Sequence, residues 1–283
     1  MKVIDQALLE KVIIERSHTS HKGDYGRLLL LGGTYPYGGA IIMAALAAVK
    51  SGAGLVTVGT DRENIPVLHS HLPEAMAFYL QDQQLLKEQL EKAEVVLLGP
   101  GLGDDAFGED LVKQVFAGLK QNQILIVDGG ALTILARTSL SFPSNQLILT
   151  PHKKEWEKLS GITIEKQKED ATASALTSFP QGIILVEKGP VTRIWQAGQS
   201  DYYQLQVGGP YQATGGMGDT LAGMIAGFAG QFKQASLYER VAVATHLHSA
   251  IAQELAQEHY VVLPTEISSY LSKIMKKISQ KGT

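Results

Sequence analysis

The 283-residue chain contains no cysteine, which removes disulfides, thiol nucleophiles and thiolate metal sites together. It has no apolar run near the roughly 20 residues that a bilayer span requires. Basic residues form no stripe, and the net charge is -3, so a nucleic-acid partner is not indicated. Lys273, Lys276, Lys277 and Lys281 are read as solvating a terminal helix. The opening MKVIDQALLEKVIIE carries acidic residues and helical periodicity, unlike a signal peptide, so no membrane and a cytoplasmic location are expected. A G-x-x-x-x-G-K-[ST] phosphate loop is missing. The glycines from Gly32-Gly33 to Gly38-Gly39 do not have the G-x-G-x-x-G spacing of a dinucleotide fingerprint.

What is present is an ordinary soluble composition, 45% hydrophobic and 19% charged, arranged as a long alternation of strand and helix patterns. Asp5 is expected to cap an opening helix with Ala7, Leu8, Val12 and Ile13 facing inward. Leu28 to Leu31 stops at two glycines, as a buried parallel strand does. The alanine-rich stretch 40–50 reads as helix and 55–58 as strand. The alternation continues with helix 81–92, strand 95–98, helix 107–119, strand 124–127, a short helix after Asp128-Gly129-Gly130, strand 147–149 and a helix around 155–159. Such alternation predicts a mostly parallel sheet covered by helices on both faces, an α/β fold in one domain over residues 1–283. Between Gly182 and Val207 three strand-like pieces separated by Lys188-Gly189-Pro190 and Ala197-Gly198-Gln199-Ser200 predict a short antiparallel meander. Helices follow over 218–232, 237–258 and 265–278.

In an open α/β sheet, ligands gather beyond the carboxyl ends of the strands. Here those ends carry GGTYPYGG, GPGLGDD, DGG, TPH and EKGP. The most informative stretch is Gly208 to Gly223, GGPYQATGGMGDTLAG. Glycines before a helix let the backbone approach a ligand, and the unpaired N–H groups of the first turn attract an oxyanion. A carboxylate there would repel the anion, so Asp219 is explained if it removes a proton from a group reacting beside that anion. The plainer reading is a helix-start Asp. His152, at a strand end, is placed to donate to a ligand oxygen. Lys188-Gly189 offers a cation and open backbone to a phosphate or ribose, as a surface hairpin also would. Asp104 and Asp105 read as helix-start acids, and Trp195, Tyr202 and Tyr203 as packing residues. His18 and His21 lie in a polar loop that is either solvated or folded over a ligand. His246 and His248, two apart on a helix, do not form a zinc pair.

Taken together, HKGDYGRLLLLGG, Gly39-Ala40, KSGAGLVTV, PEAM, GPGLG, LTPHKKEW, Lys188-Gly189 and ATGGMGDTLAG resemble the ADP- or ATP-dependent NAD(P)H-hydrate dehydratases, which have the ribokinase-like fold. The resemblance covers nearly the whole chain in order. It implies a repair activity in which the ring hydroxyl of (6S)-NAD(P)HX is phosphorylated and phosphate is then lost. By the same resemblance Asp219 is the base, and the backbone of Gly216, Met217 and Gly218 holds the transferred phosphoryl charge. Ala40, Gly103, His152 and Asp219 contact the hydrated dinucleotide. Lys188, Gly189, Pro190, Val191, Thr192 and Gly218 contact the adenine nucleotide. Mg²⁺ is expected on the phosphates without a dedicated protein cage, with ADP as co-substrate and ATP as an alternative. The resemblance also implies a homotetramer, as several bacterial members form, and a separate epimerase acting alongside, because the epimerase domain often fused at the N-terminus is missing.

One departure stands out. Many members carry D-A-D-A-L where this chain has Asp128-Gly129-Gly130-Ala131-Leu132, so no role of the second acid transfers. Two rivals share the glycine motif: a superfamily kinase acting on a small alcohol, and a non-catalytic nucleotide-binding protein.

Overall fold

The computed structural model describes residues 1–138 and 140–280; Lys281 of the terminal lysine set lies outside them. The chain opens with α1 (Gln6–Val12), then alternates β1 (Arg27–Leu31), α2 (Gly38–Lys50), β2 (Leu55–Thr60), α3 (Asn64–His71) and β3 (Met76–Tyr79). Next come α4 (Gln83–Lys92), β4 (Val95–Leu98), α5 (Ala106–Gly118), β5 (Ile124–Val127), α6 (Gly129–Arg137), β6 (Gln146–Leu149), α7 (Lys153–Ser160) and α8 (Glu169–Leu176). The last part holds β7 (Ile184–Glu187), β8 (Arg193–Gln196), β9 (Tyr203–Gln204), α9 (Met217–Gly230), α10 (Leu237–Leu255) and α11 (Pro264–Ser279). No helix among the described residues is long and apolar enough to cross a membrane.

Among the described residues nine strands join one sheet in the order β3-β2-β1-β4-β5-β6-β7-β8-β9. From β3 to β7 every pairing is parallel, and β7-β8 and β8-β9 are antiparallel, so β7 ends the parallel run and begins the meander. Side chains alternate across a strand, and both faces here are covered. Leu28 and Leu30 face one core with residues of α1, α2, α9, α10 and α11. Leu29 and Leu31 face the other, with residues of α4, α5, α6, α7 and α8. The uninterrupted leucine run is therefore two half-runs serving opposite layers.

Asp5 caps α1 through its carboxylate, which accepts from the Leu8 backbone N–H at 2.9 Å. The inward set differs from expectation: Leu9, Val12 and Ile13 are buried, while Ala7 is exposed. Leu8 is half-buried and packs against the same core as expected, so only Ala7 of the expected set faces outward. Three elements had no sequence expectation, namely α3, β3 and α8. A proline lies inside α3, and β3 is an edge strand whose Met76 is exposed, so neither shows clean periodicity.

The expected packing aromatics behave so. Trp195 stacks on Tyr202 with ring centroids 4.1 Å apart, and its Nε1 donates to the buried Glu187 carboxylate at 3.0 Å. Asp105 caps α5, accepting from the Gly108 N–H at 2.9 Å, and Asp104 lies 3.7 Å from the Arg137 guanidinium. His18 and His21 precede β1, at the amino end of the strands and opposite the glycine-rich loops.

Candidate active site

The chain leaves β1 toward β2 on one side, while β4 lies on its other side, so the sheet has its topological switch point between β1 and β4. The two loops beyond these strands are laced together. Gly33 N–H donates to the Pro100 carbonyl and Thr34 N–H to the Gly101 carbonyl, each at 2.9 Å. Gly103 N–H donates to Thr34 Oγ1 at 2.7 Å. Ala40, in the first turn of α2, packs so closely on Gly101 that a Cβ added there would stand 2.9 Å from its own. Ala40 and Gly103 thus sit together on the floor of this crevice.

The start of α9 is brought to the same end of the sheet by α2. A Cβ at Gly216 would meet Met43, one at Gly223 would run into the Ala44 backbone, and one at Gly227 would meet Ser51. Contacts that advance together along both helices mean that α2 and α9 run parallel, with their N-termini side by side. Gly216 holds φ 92°, a left-handed conformation that glycine adopts at no steric cost, and it starts the helix without any side-chain cap. Among the described residues no side chain caps the Met217 and Gly218 N–H groups. Asp219 occupies the third position of this uncapped first turn.

Around Asp219 lies a compact charged cluster from separate strands. Lys188, just past β7, donates through Nζ to Asp128 Oδ1 at 2.9 Å. The Lys188 side chain is 17% exposed and that of Asp128 3%. Thr150 Oγ1 donates to the same carboxylate oxygen at 2.6 Å. A Cβ at Gly218 would stand 3.1 Å from Lys188 Nζ, so the ammonium lies against the opening turn of α9. Burial opposes the Lys188 charge, yet the carboxylates of Asp128, Glu155 and Asp219 hold its pKa above the usual lysine value. Burial, with the Asp128 charge adding to it, pushes Asp219 up to about 6, against the pull of Lys188. A carboxyl poised there is ionised at neutral pH and still basic enough to accept a proton.

His152 caps α7: its Nδ1 accepts from the Lys154 and Glu155 N–H groups, both at 3.1 Å. Burial and the Lys188 charge hold its pKa below the ordinary imidazole range. The neutral ring therefore carries its proton on Nε2, which lies 3.6 Å from Glu155 Oε1, too far for a hydrogen bond, and can donate to a ligand. Glu155 completes the capping box, accepting from His152 N–H at 2.8 Å, and burial raises its own pKa.

A cavity of about 640 Å³ opens beside the cluster, lined by His152, Lys188, Gly189, Pro190, Thr192, Met217 and Gly218. His152 is thus grouped with the residues expected to meet the nucleotide, whereas Ala40 and Gly103 lie at the β1–β4 crevice. Val191 is exposed and does not line the cavity. The far wall comes from Gln212, within the glycine stretch, and from Thr245, His248 and Ser249 of α10, which carries no motif. His248 is 5% exposed, and burial pushes its pKa down to about 4, so it is a neutral, base-sized wall. Its place two residues from His246 on α10 excludes a zinc pair but gives no sign of a cavity; the packing of α10 on α9 brings it here.

A family model for NAD(P)H-hydrate dehydratase matches residues 28–273. The chain belongs to the NAD(P)H-hydrate dehydratase family. It is 91% identical over 281 residues to an ADP-dependent (S)-NAD(P)H-hydrate dehydratase of Streptococcus pneumoniae, a match covering 99% of this chain and 97% of that protein. A ribokinase-like superfamily protein from Enterococcus faecalis superposes with TM-score 0.94 at 42% identity, covering 99% and 96% of the two chains. An ADP/ATP-dependent NAD(P)H-hydrate dehydratase of Bacillus subtilis, co-crystallised with ATP and Mg²⁺, superposes with TM-score 0.84 at 29% identity over 97% of each chain. The fold is ribokinase-like.

Within this dehydratase fold, Gly130 has a local cause. A Cβ there would run into the Leu102 carbonyl of the loop beyond β4. Backbone fills the space that an acidic side chain would need. Gly130→Asp is expected to force that loop outward and to lower the unfolding free energy by about 2 kcal/mol, the scale of an overpacked site. Denaturant titration of the variant checks this; an unchanged midpoint would mean that the loop yields freely.

Proposed function

We propose that the chain catalyses ADP-dependent dehydration of (6S)-NADHX and (6S)-NADPHX to NADH and NADPH, releasing AMP and phosphate. The observation that carries the reading is the juxtaposition of a proton acceptor, Asp219, with an uncapped helix start and the Lys188 ammonium. Asp219 takes the proton of the ring hydroxyl. The resulting oxygen attacks the β-phosphorus of ADP, and the bond from that phosphorus to the α,β-bridging oxygen breaks, so AMP departs. The ring carbon–oxygen bond of the phosphate ester then breaks, phosphate leaves, and loss of a ring proton restores the double bond.

Charge gathers on the phosphoryl oxygens during the first step. The N–H groups of Met217 and Gly218 and the Lys188 ammonium are preorganised to meet it. His152 donates from Nε2, and Ala40 and Gly103 present backbone and small side chains to the dinucleotide at the switch point. Gly189, Pro190 and Thr192, which line the cavity, cradle the adenine nucleotide from the turn after β7.

The site's acids fit an Mg²⁺ carried on the phosphates better than one held by protein. Asp128 is engaged by Lys188 and Thr150, Asp105 caps a helix, and Asp104 faces Arg137. When bound, Mg²⁺ neutralises phosphate charge through the nucleotide's own oxygens.

We read residues 1–283 as one catalytic domain, on the support of a sheet that runs unbroken through the chain. A cytoplasmic homotetramer, working beside a separate epimerase that supplies the (6S) form, completes the proposal by the resemblance described above.

Incubation of hydrated NADH with ADP is expected to yield AMP, phosphate and the absorbance of reduced nicotinamide in equal amounts. A stable phosphorylated product without that absorbance would instead mark a small-alcohol kinase. Because the base must be ionised, kcat/KM is expected to fall below an apparent pKa of about 6. A profile flat from pH 5 to pH 8 would remove Asp219 from the role.

A further inference from the structure

Asp128 has no place in the steps above, yet it is the most deeply buried acid of the cluster. It comes from the end of β5, and its Oδ1 accepts from two groups of neighbouring strand ends, Thr150 Oγ1 at 2.6 Å and Lys188 Nζ at 2.9 Å. Lys188 is reached across 60 residues of sequence. The ammonium faces further acids, Glu155 at the start of α7 and Asp219 at the start of α9, with His152 and His248 as neutral neighbours. A flexible lysine with three carboxylates in reach has a choice of partners. The one carrying the hydroxyl's proton acceptor is the partner that would stop the reaction, because an ion pair would quench the base.

We propose that Asp128, fixed by Thr150, is a positioning residue that tethers the Lys188 ammonium beside Gly218, facing the phosphoryl site and held off Asp219. The tether has the geometry for this. Thr150 anchors the carboxylate from β6, and Lys188 N–H itself donates to the Pro151 carbonyl at 2.9 Å, so backbone and side chain of Lys188 are both pinned to the neighbouring strand ends. Three adjacent strand ends thus set where one positive charge stands. The role rests on the phosphoryl-transfer reading above.

The test compares wild type with Asp128→Asn, Asp128→Glu, Thr150→Val and Lys188→Met, using hydrated NADH and ADP across pH. In Asp128→Asn, kcat is expected to fall about 10²-fold while KM for ADP changes far less, the pattern of an interaction used mainly in the transition state. The acid limb is expected to move to lower pH, since Asp219 loses an anionic neighbour and gains the released ammonium. Asp128→Glu should recover part of the rate. In a Lys188→Met background, Asp128→Asn should cost little more, because the tether has nothing left to hold.

A buried ion pair that served stability alone would lower Tm while leaving kcat per folded molecule and the acid limb in place, and that result overturns the proposal. Should Asp128→Asn fail to fold, Thr150→Val decides it. That variant loses one hydrogen bond to a charged group, so about tenfold in kcat with the same direction of limb shift supports the tether, and wild-type values refute it. Wild type that releases no AMP from ADP with hydrated NADH defeats the reaction itself; wild type that does, beside an Asp128→Asn of equal rate, defeats only the tether.

Discussion

Asp219→Asn is expected to fold as wild type, melt higher and lose about 10³-fold of its turnover, the range a positioned proton acceptor supplies. The rate follows from chemistry, since an amide accepts no proton from the ring hydroxyl while the helix start and Lys188 stay in place. The stability gain follows from linkage. The folded pKa of about 6 stands above the ordinary aspartate value of 3.8, so protonation favours the folded state. That favour is complete below the unfolded value and is lost as pH rises through about 6, after which the ionised group costs the fold about 2–3 kcal/mol. Asn removes that cost; the attraction between a carboxylate and the helix N-terminus is already contained in the folded pKa of about 6. The net gain at pH 7.5 is therefore about 2–3 kcal/mol and shrinks as the pH falls. Chromatographic AMP release and thermal melts at two pH values check both halves. Release at the wild-type rate would sink the assignment of the base.

The second large effect concerns the seam between α2 and α9. Gly223→Val would drive a branched side chain into the Ala44 carbonyl, with the Ala44 carbon and Cα also only 2.8 Å from the first added atom. These are backbone atoms in the middle of a helix, which cannot swing aside. A gain of helix propensity over glycine, below about 1 kcal/mol, is outweighed by overpacking of about 3 kcal/mol. A Tm drop of about 6–10 °C is expected. Because the seam sets the relative height of the two N-termini, kcat should fall along with stability. Gly215→Ala is the control: nothing stands within 4 Å of its added Cβ, and its Tm should match wild type.

How far the sequence could be read varied with the kind of information. Strands facing two cores are short apolar runs, so Leu28 to Leu31 or Val95 to Leu98 were legible with near-final bounds. β3 was not, since only Phe78 of its four residues is buried, and α8 was not, since Glu169, Asp170, Thr172 and Ser174 break up any apolar stripe before Leu176. At the site, Asp219 and Lys188 announced themselves because glycines surround them. Asp128 did not, since a strand-end Asp looks the same whether it meets water or a lysine far along the chain. The partner of a buried charge is settled by strand order, and strand order is not written in any local pattern. His248 was hidden for a related reason: it becomes a cavity wall only through the packing of two helices.

The paired leucines of β1 carry one more consequence. A strand with leucine on both faces has lost the usual safeguard against slipping, because a one-residue shift would still bury leucine on either side. The alignment is held at the ends instead. Gly26, at φ 85°, lies against the Gly230 backbone, and a Cβ at Gly32 would run into the Pro100 carbonyl. Two side-chain-free positions act as end stops for the strand. They decide where the loop leading to Ala40 meets the loop carrying Gly103, while the four leucines between them remain interchangeable filler.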